Sequence, residues 1–270
     1  MDKIIRTIKA ANGNTYIGEI HNQAKHGKGI FEWANGDIYE GDWVNDKRTG
    51  KGIFKWADGD IYEGDFLNNE RTGKGIFKFA NGDVFKFANG DVYEGDWVND
   101  KRTGKGIFKW ADGNIYEGDF LNNERTGKGI FKFASGGIYE GNFVDGERTG
   151  KGVFTWINGD VYDGDWVGGN MVGKGTFKWA NGDIYKGDWV SGHRTGKGVY
   201  KYNEGHIYEG DFVEGLRTGK GIYKFPNGDT YEGDYVNDAM EGKGIFKWAD
   251  GDIYEGNFIN NKSNGKGFFK

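Results

Sequence analysis

Cysteine is absent from the 270 residues and proline occurs once. Without cysteine there is no disulfide framework, no thiol nucleophile and no thiolate metal ligand. No apolar run approaches the roughly 18 residues of a membrane-spanning helix. The opening stretch, MDKIIRTIKAANGN, lacks the apolar core of a secretory signal, so a cytoplasmic protein is expected. Positive charge is in short supply: 36 Lys and Arg stand against 41 Asp and Glu, a net charge of −5. Nucleic acids and anionic lipids favour strongly basic faces; no nucleic-acid partner is expected. The four histidines, His21, His26, His193 and His206, share no metal-ligand spacing and are expected at the surface. The abundant carboxylates recur along the whole chain instead of meeting as one pair in a cleft. No catalytic residue, metal or cofactor is expected.

What the chain has in excess is glycine, 51 residues, and aromatics, 17 % of the total. The aromatics exclude a disordered low-complexity chain. The lack of a three-residue glycine period and of proline excludes collagen. Both residue types repeat. Tyrosines open successive units at Tyr16, Tyr39, Tyr62, Tyr93, Tyr116, Tyr139, Tyr162, Tyr185, Tyr208, Tyr231 and Tyr254, with a step of 23 residues everywhere except the 31 between Tyr62 and Tyr93. There the phrase FKFANGDV is written twice, an eight-residue partial repeat near 81–88. The insertion is even, so it keeps the two faces of a strand in phase; it is expected to add a short strand at Asp83–Phe87, or else a notch. Residues 1–11 are expected to form an N-terminal capping strand and residues 12–270 one continuous array. No unit is large enough to bury a core alone, so neighbours must stack.

Within a unit the period is two, not 3.6. Tyr39, Gly41 and Trp43 alternate with Ile38, Glu40, Asp42 and Val44, and Gly50, Gly52, Phe54 and Trp56 alternate with Lys51, Ile53 and Lys55. This is strand patterning, and glycine every few residues opposes a helix. Parity decides the turn at Ala57-Asp58-Gly59. A two-residue turn would throw the aromatics of adjacent strands onto opposite faces. A three-residue loop sets Trp56 opposite Asp60 and Phe54 opposite Tyr62, with a left-handed glycine at Gly59. The other connection, Val44–Thr49, reads as a longer polar loop, with Trp43 opposite Gly50. The expected rows are then Tyr39, Phe54, Tyr62, Phe77; Gly41, Gly52, Gly64, Gly75; and Trp43, Gly50, Phe66, Gly73. The glycines leave room for rings to lie flat against the backbone. The opposite face carries charges of alternating sign, Asp42, Lys51, Asp65 and Lys74, and reads as solvated.

These residues carry a resemblance. YEGDW, GKGIF and NGD at a 23-residue step resemble the MORN (membrane occupation and recognition nexus) repeat over nearly the whole chain. The family's tyrosine-x-glycine element falls on Tyr39 and Gly41, and its second glycine pair on Gly50 and Gly52. The first unit departs from the pattern at Ile17 and Ile20. The resemblance implies an all-β fold: an elongated single-layer antiparallel sheet of consecutive hairpins, forming a twisted ribbon or groove. It also implies a non-enzymatic scaffold of a cytoskeletal or ciliary assembly, such as the axoneme and its radial spokes. Such a scaffold takes a protein helix, a peptide or a second copy of the chain in its groove. Rings on one face of an uncovered sheet make suitable contacts, and Tyr162, Trp166, Phe177, Trp179, Tyr185 and Trp189 are the expected partner-binding set. The alternative is a module that binds anionic phospholipid through the basic DKRTGK segments, such as Lys47-Arg48-Thr49-Gly50-Lys51.

Overall fold

The computed structural model describes residues 5–79 and 90–270. It forms two compact units, Met1–Ser135 with Phe143–Gly146, and Gly136–Asn142 with Glu147–Lys270. Among the described residues there are twenty-three strands and no helix. In both units the pairing is antiparallel and joins strands that follow one another in the chain, so each unit is an open sheet of consecutive hairpins.

Two of the three expected rows, the tyrosine–phenylalanine row and the glycine row, are present in the first unit. Strand Ile38–Val44 meets Lys47–Lys55 with Tyr39 opposite Phe54 and Gly41 opposite Gly52. The next pairing sets Phe54 opposite Tyr62 and Gly52 opposite Gly64. The second unit repeats the arrangement, with Tyr162, Phe177, Tyr185 and Tyr200 in one row and Gly164, Gly175, Gly187 and Gly198 in the next. The Ala57-Asp58-Gly59 loop also follows the parity argument. Trp56 donates its N–H to Asp60 O at 2.9 Å, Gly59 donates back to Trp56 O at 2.9 Å, and Gly59 sits at φ 97°.

The other connection corrects the sequence reading. Val44–Thr49 is not a long loop. The strands turn at Asn45-Asp46, at φ 48° and 66°, with Val44 opposite Lys47 and Trp43 opposite Arg48. Asn and Asp tolerate the left-handed region, which a two-residue hairpin turn needs twice. The register then slips between Gly41 and Asp42, so Trp43 does not face Gly50 within its own hairpin. Gly50 faces Phe66 across the following pairing, as expected. The slip takes up two residues, so every side chain keeps its face. Gly50, at φ 58°, makes the bulge, and Asp42 clasps it by accepting the Lys51 N–H at 3.2 Å.

The close glycine rows have one cause. The Tyr39 ring lies across Gly41 and Gly52, and its hydroxyl donates to Asp42 O at 3.1 Å. A Cβ on Gly41 would lie 2.6 Å from Gly52 Cα and would also strike that hydroxyl. Only a strand without side chains at this row can accept the ring.

The expected strand or notch at Asp83–Phe87 lies outside the described residues. On either side of it, Phe77 stands opposite Tyr93, Gly75 opposite Gly95 and Gly73 opposite Trp97, so the faces do stay in phase.

The lone proline is explained by a second ladder. The aspartate that closes each NGD phrase reaches the next turn: Asp160 accepts the Ala180 N–H and Asp183 the Asn203 N–H, each at 2.8 Å. One repeat later the acceptor position holds His206 and the donor position holds Pro226, which has no N–H. The two exceptions cancel. His206 is also not the free surface residue that the sequence suggests. Its ring centroid is 5.5 Å from that of Tyr223 and 5.7 Å from that of Phe225, and its Nδ1 is buried, as is that of His26.

Candidate functional site

All six expected contact rings lie in one layer of the second unit, spread over neighbouring strands. Tyr162 and Tyr185 are 0 % exposed, Trp166 3 %, Trp189 4 % and Phe177 9 %. Only Trp179 keeps a partly open surface. The rings fill one another's contacts. Tyr162 meets Trp166 and Trp189 edge-on at 5.2 and 5.3 Å, and Trp179 lies 4.5 Å from Phe177 and 5.2 Å from Tyr200. The indole N–H groups are satisfied as well: Trp166 donates to Gly152 O at 3.0 Å and Trp189 to Gly175 O at 3.3 Å. Edge-on ring pairs are each worth about 0.5–1.5 kcal/mol beyond the area they bury.

Burial acts on the phenols first. It pushes the Tyr185 hydroxyl up to about 12, and the Asp188 carboxylate adds to the rise; Arg194 and the hydrogen bond to Asp188 O oppose it. Tyr139 and Tyr231 are likewise raised to about 12, chiefly by burial.

The arginine of each DKRTGK-type segment reads as a solvated loop residue by its sequence and is instead part of the ring layer. The Arg148 guanidinium carbon lies 4.8 Å from the centre of the Trp166 ring, and that of Arg194 lies 5.1 Å from Tyr200. The fork ends on the next turn, where Arg194 Nη2 donates to Gly215 O at 2.8 Å. A signal for this exists in the sequence, since the arginine recurs at one fixed place two residues before a bulge glycine. The two aberrant segments, VGGNMVG and NDAME, put Met171 and Met240 at this position, opposite Trp166 and Tyr235. They keep an apolar stem against the rings and drop the charge.

The lysines of these segments belong to the other face. Lys151, Lys174, Lys197 and Lys220 pair with Asp165, Asp188, Asp211 and Asp234 of the following strand at 2.7, 2.5, 2.7 and 2.6 Å. The lysine ends are about 70 % exposed, so such pairs contribute at most about 1 kcal/mol each.

A groove of about 1820 Å³ runs over this charged face of the second unit, lined from Lys151 to Phe268. Its floor is the glycine row, Gly164, Gly175, Gly187 and onward. The Cβ that each of these glycines lacks would point to the tyrosines on the other side, so the groove sees bare backbone. One flank is the row of Lys–Asp pairs. The other alternates uncharged and charged side chains: Thr176, Lys186, Val199, Glu209, Ile222, Glu232. The glycine half of the expected aromatic and glycine groove therefore floors this channel, and the rings lie behind it.

Among the described residues no group of three or more His, Asp or Glu is placed to hold a metal ion, and no helix is long and apolar enough to cross a membrane.

Comparison with known proteins agrees with this geometry. The MORN repeat matches residues 16–38, 39–61, 62–84, 93–115, 116–138, 139–161, 162–184, 185–207, 208–230, 231–253 and 254–270. Comparison with curated protein sequences gave no match. Among solved structures, the TCP domain of SAS-4 (dCPAP) of Drosophila melanogaster, in complex with a proline-rich motif of Ana2, is 14 % identical with a TM-score of 0.38, over 67 % of this chain and 88 % of that one. The TCP10 domain of Danio rerio CPAP, in complex with a peptide of STIL, is 8 % identical with a TM-score of 0.36, over 98 % and 99 %. Scores of this size leave the identity to the repeats. Eleven matched segments cover nearly all of the sequence, and the chain is a member of the MORN repeat family.

Proposed function

We propose that the chain is a docking scaffold that holds a segment of a protein partner in the groove of its second unit. The observation that carries this reading is the groove itself, a long channel over a sheet face that no other element of its unit covers. The rings act from behind. Tyr162, Trp166, Phe177, Tyr185 and Trp189 hold the sheet that shapes the channel, and a partner that wraps over an edge meets Trp179. A cytoskeletal or ciliary assembly is the setting the family implies.

A second reading has an observation in its favour. Trp156, Trp179 and Tyr202 form a half-buried row on the ring face, which offers a docking strip for a partner helix or a second copy of the chain. Anionic-lipid attachment draws less support, because the arginines of the basic segments are spent on rings and turn carbonyls and most of the groove lysines on aspartates.

Two variants separate these readings. Thr176→Trp obstructs the groove, and Trp179→Ser trims the ring strip. With both variants folded by circular dichroism, loss of partner recovery from the native source in Thr176→Trp alone supports the groove. Loss in Trp179→Ser alone moves the site to the ring face. Recovery only with vesicles containing anionic lipid, abolished by salt, replaces protein docking by membrane attachment.

A further inference from the structure

The charges of the groove are not all neutralised. On one flank Lys151, Lys174, Lys197 and Lys220 each hold an aspartate. On the other, Asp163, Glu209, Glu232 and Glu255 are exposed, and none of these side chains forms a hydrogen bond or ion pair among the described residues. They occupy every second strand of one row. Between them stand residues with no negative charge: Thr176 and Val199 near Lys186, then Ile222 and Ile245. Lys186 interrupts the acidic positions once, and Lys243, whose strand neighbour is Asn257 in place of an aspartate, is the other unpaired cation of the lining.

Spacing and width limit what fits. Carboxylates two strands apart are separated by roughly 9.6 Å along the groove. In an extended peptide of polyproline II form, three residues per turn return every third side chain to the same side at about 9.3 Å. The two flanks are residues i and i+2 of the same strands, so the floor between them is only about 7 Å wide, narrower than the roughly 10–12 Å of a helix with its side chains. The apolar residues between the carboxylates offer contacts to the uncharged side chains of such a peptide.

Resting on the reading of the groove as a docking channel, we propose that its occupant is an extended basic segment of a partner protein, with Lys or Arg at every third residue facing Glu209, Glu232 and Glu255, and with a neutral or acidic residue facing Lys186. Lys186 then sets the register. A segment of unbroken basic period meets a like charge there and binds only where its charges pass the lysine by.

The test uses the full chain and a short fluorescein-labelled peptide with arginine at every third position and serine or alanine between, followed by fluorescence anisotropy at low ionic strength. Two reference peptides have the same composition with the arginines clustered, or glutamate in place of arginine. The expected result is saturable binding of the periodic peptide, at least about tenfold tighter than the clustered one, and none of the glutamate peptide. The variant Glu209→Gln/Glu232→Gln/Glu255→Gln loses about tenfold or more, while Glu147→Gln/Glu204→Gln/Glu214→Gln, the same change of charge at exposed positions of the second unit outside the groove lining, does not. Lys186→Glu binds an unbroken arginine period more tightly than the natural chain. Equal binding of periodic and clustered peptides, or equal loss in the two triple variants, overturns the proposal in favour of diffuse attraction to an acidic protein. Preference for a basic peptide stapled as a helix overturns the extended conformation. If no basic peptide binds while Thr176→Trp still abolishes recovery of the natural partner, the basic-segment assignment fails and groove docking stands. If Thr176→Trp leaves that recovery intact, the groove reading itself fails.

Discussion

The two faces of one strand make the most instructive comparison in this molecule. In Val161–Val167, Tyr162 and Trp166 point to a layer in which rings are wedged against other rings and a glycine row, with the Arg148 guanidinium over Trp166. Asp163 and Asp165 point the other way, Asp163 into a channel whose floor has no side chains and Asp165 to Lys151 on its flank. One face therefore has little freedom to change, and the other has contacts left to give. The glycines connect the two: the volume they omit is used by tyrosine on one side, and the backbone they bare is the groove on the other. Stability should thus reside in the ring face and binding in the groove face.

Alkaline pH should break the ring face most completely. The buried tyrosines have folded-state values above the ordinary 10.0, near 12 for Tyr139, Tyr185 and Tyr231. Unfolded phenols therefore ionise first, so the stabilisation is fully present below pH 10 and is lost as the pH rises through about 12. Unfolding followed by circular dichroism should set in across that window, and a chain equally stable at pH 9 and pH 12 would remove burial as the cause. Trp166→Ala should come next, at about 3–5 kcal/mol in urea unfolding, because it empties a packed ring site. Repeat arrays need not unfold in one step, so the loss is best read from hydrogen exchange in the strands around residue 166. Gly175→Ala adds a single methyl yet should lose about 1–3 kcal/mol, since its Cβ must displace the Tyr162 ring; a neutral result would show that the ring can move aside. Arg194→Met should stay within about 1 kcal/mol, as Met171 and Met240 already occupy equivalent places, whereas Arg194→Ala should lose more through missing packing. Lys174→Ala, on the groove face, should change the melting temperature least, because an exposed ion pair contributes about 0–1 kcal/mol. A larger loss for Lys174→Ala than for Trp166→Ala would invert the comparison.

Much of the fold is legible in the amino-acid order, and for particular reasons. The period of two in Tyr39, Gly41 and Trp43 assigns faces, and parity at Ala57-Asp58-Gly59 selects the turn. The Asn45-Asp46 turn is hidden because its neighbours Lys47, Arg48 and Thr49 look like loop residues by polarity. They are strand residues, and the bulge at Gly50 shifts the register by two residues, which sets Gly41 opposite Gly52 and Tyr39 opposite Phe54 without changing any face. Arg48 is disguised with them: a guanidinium reads as solvated until rings are available to cover its stem and a turn carbonyl to take its end. Of the candidate site, the residue pattern names the rings and the glycines but does not say which side of the glycines stays open.

By itself, then, the amino-acid order determined the repeat, the strands, which residues share a face and which family they belong to, because these follow from local spacing and from the hard limit that a missing Cβ sets. Only the tertiary structure decided that the rings consume one another's surface, that arginine joins them, and that the open channel lies on the charged side. Those outcomes depend on how neighbouring repeats settle against each other, and packing between repeats is a property of the assembled sheet that no single 23-residue phrase contains.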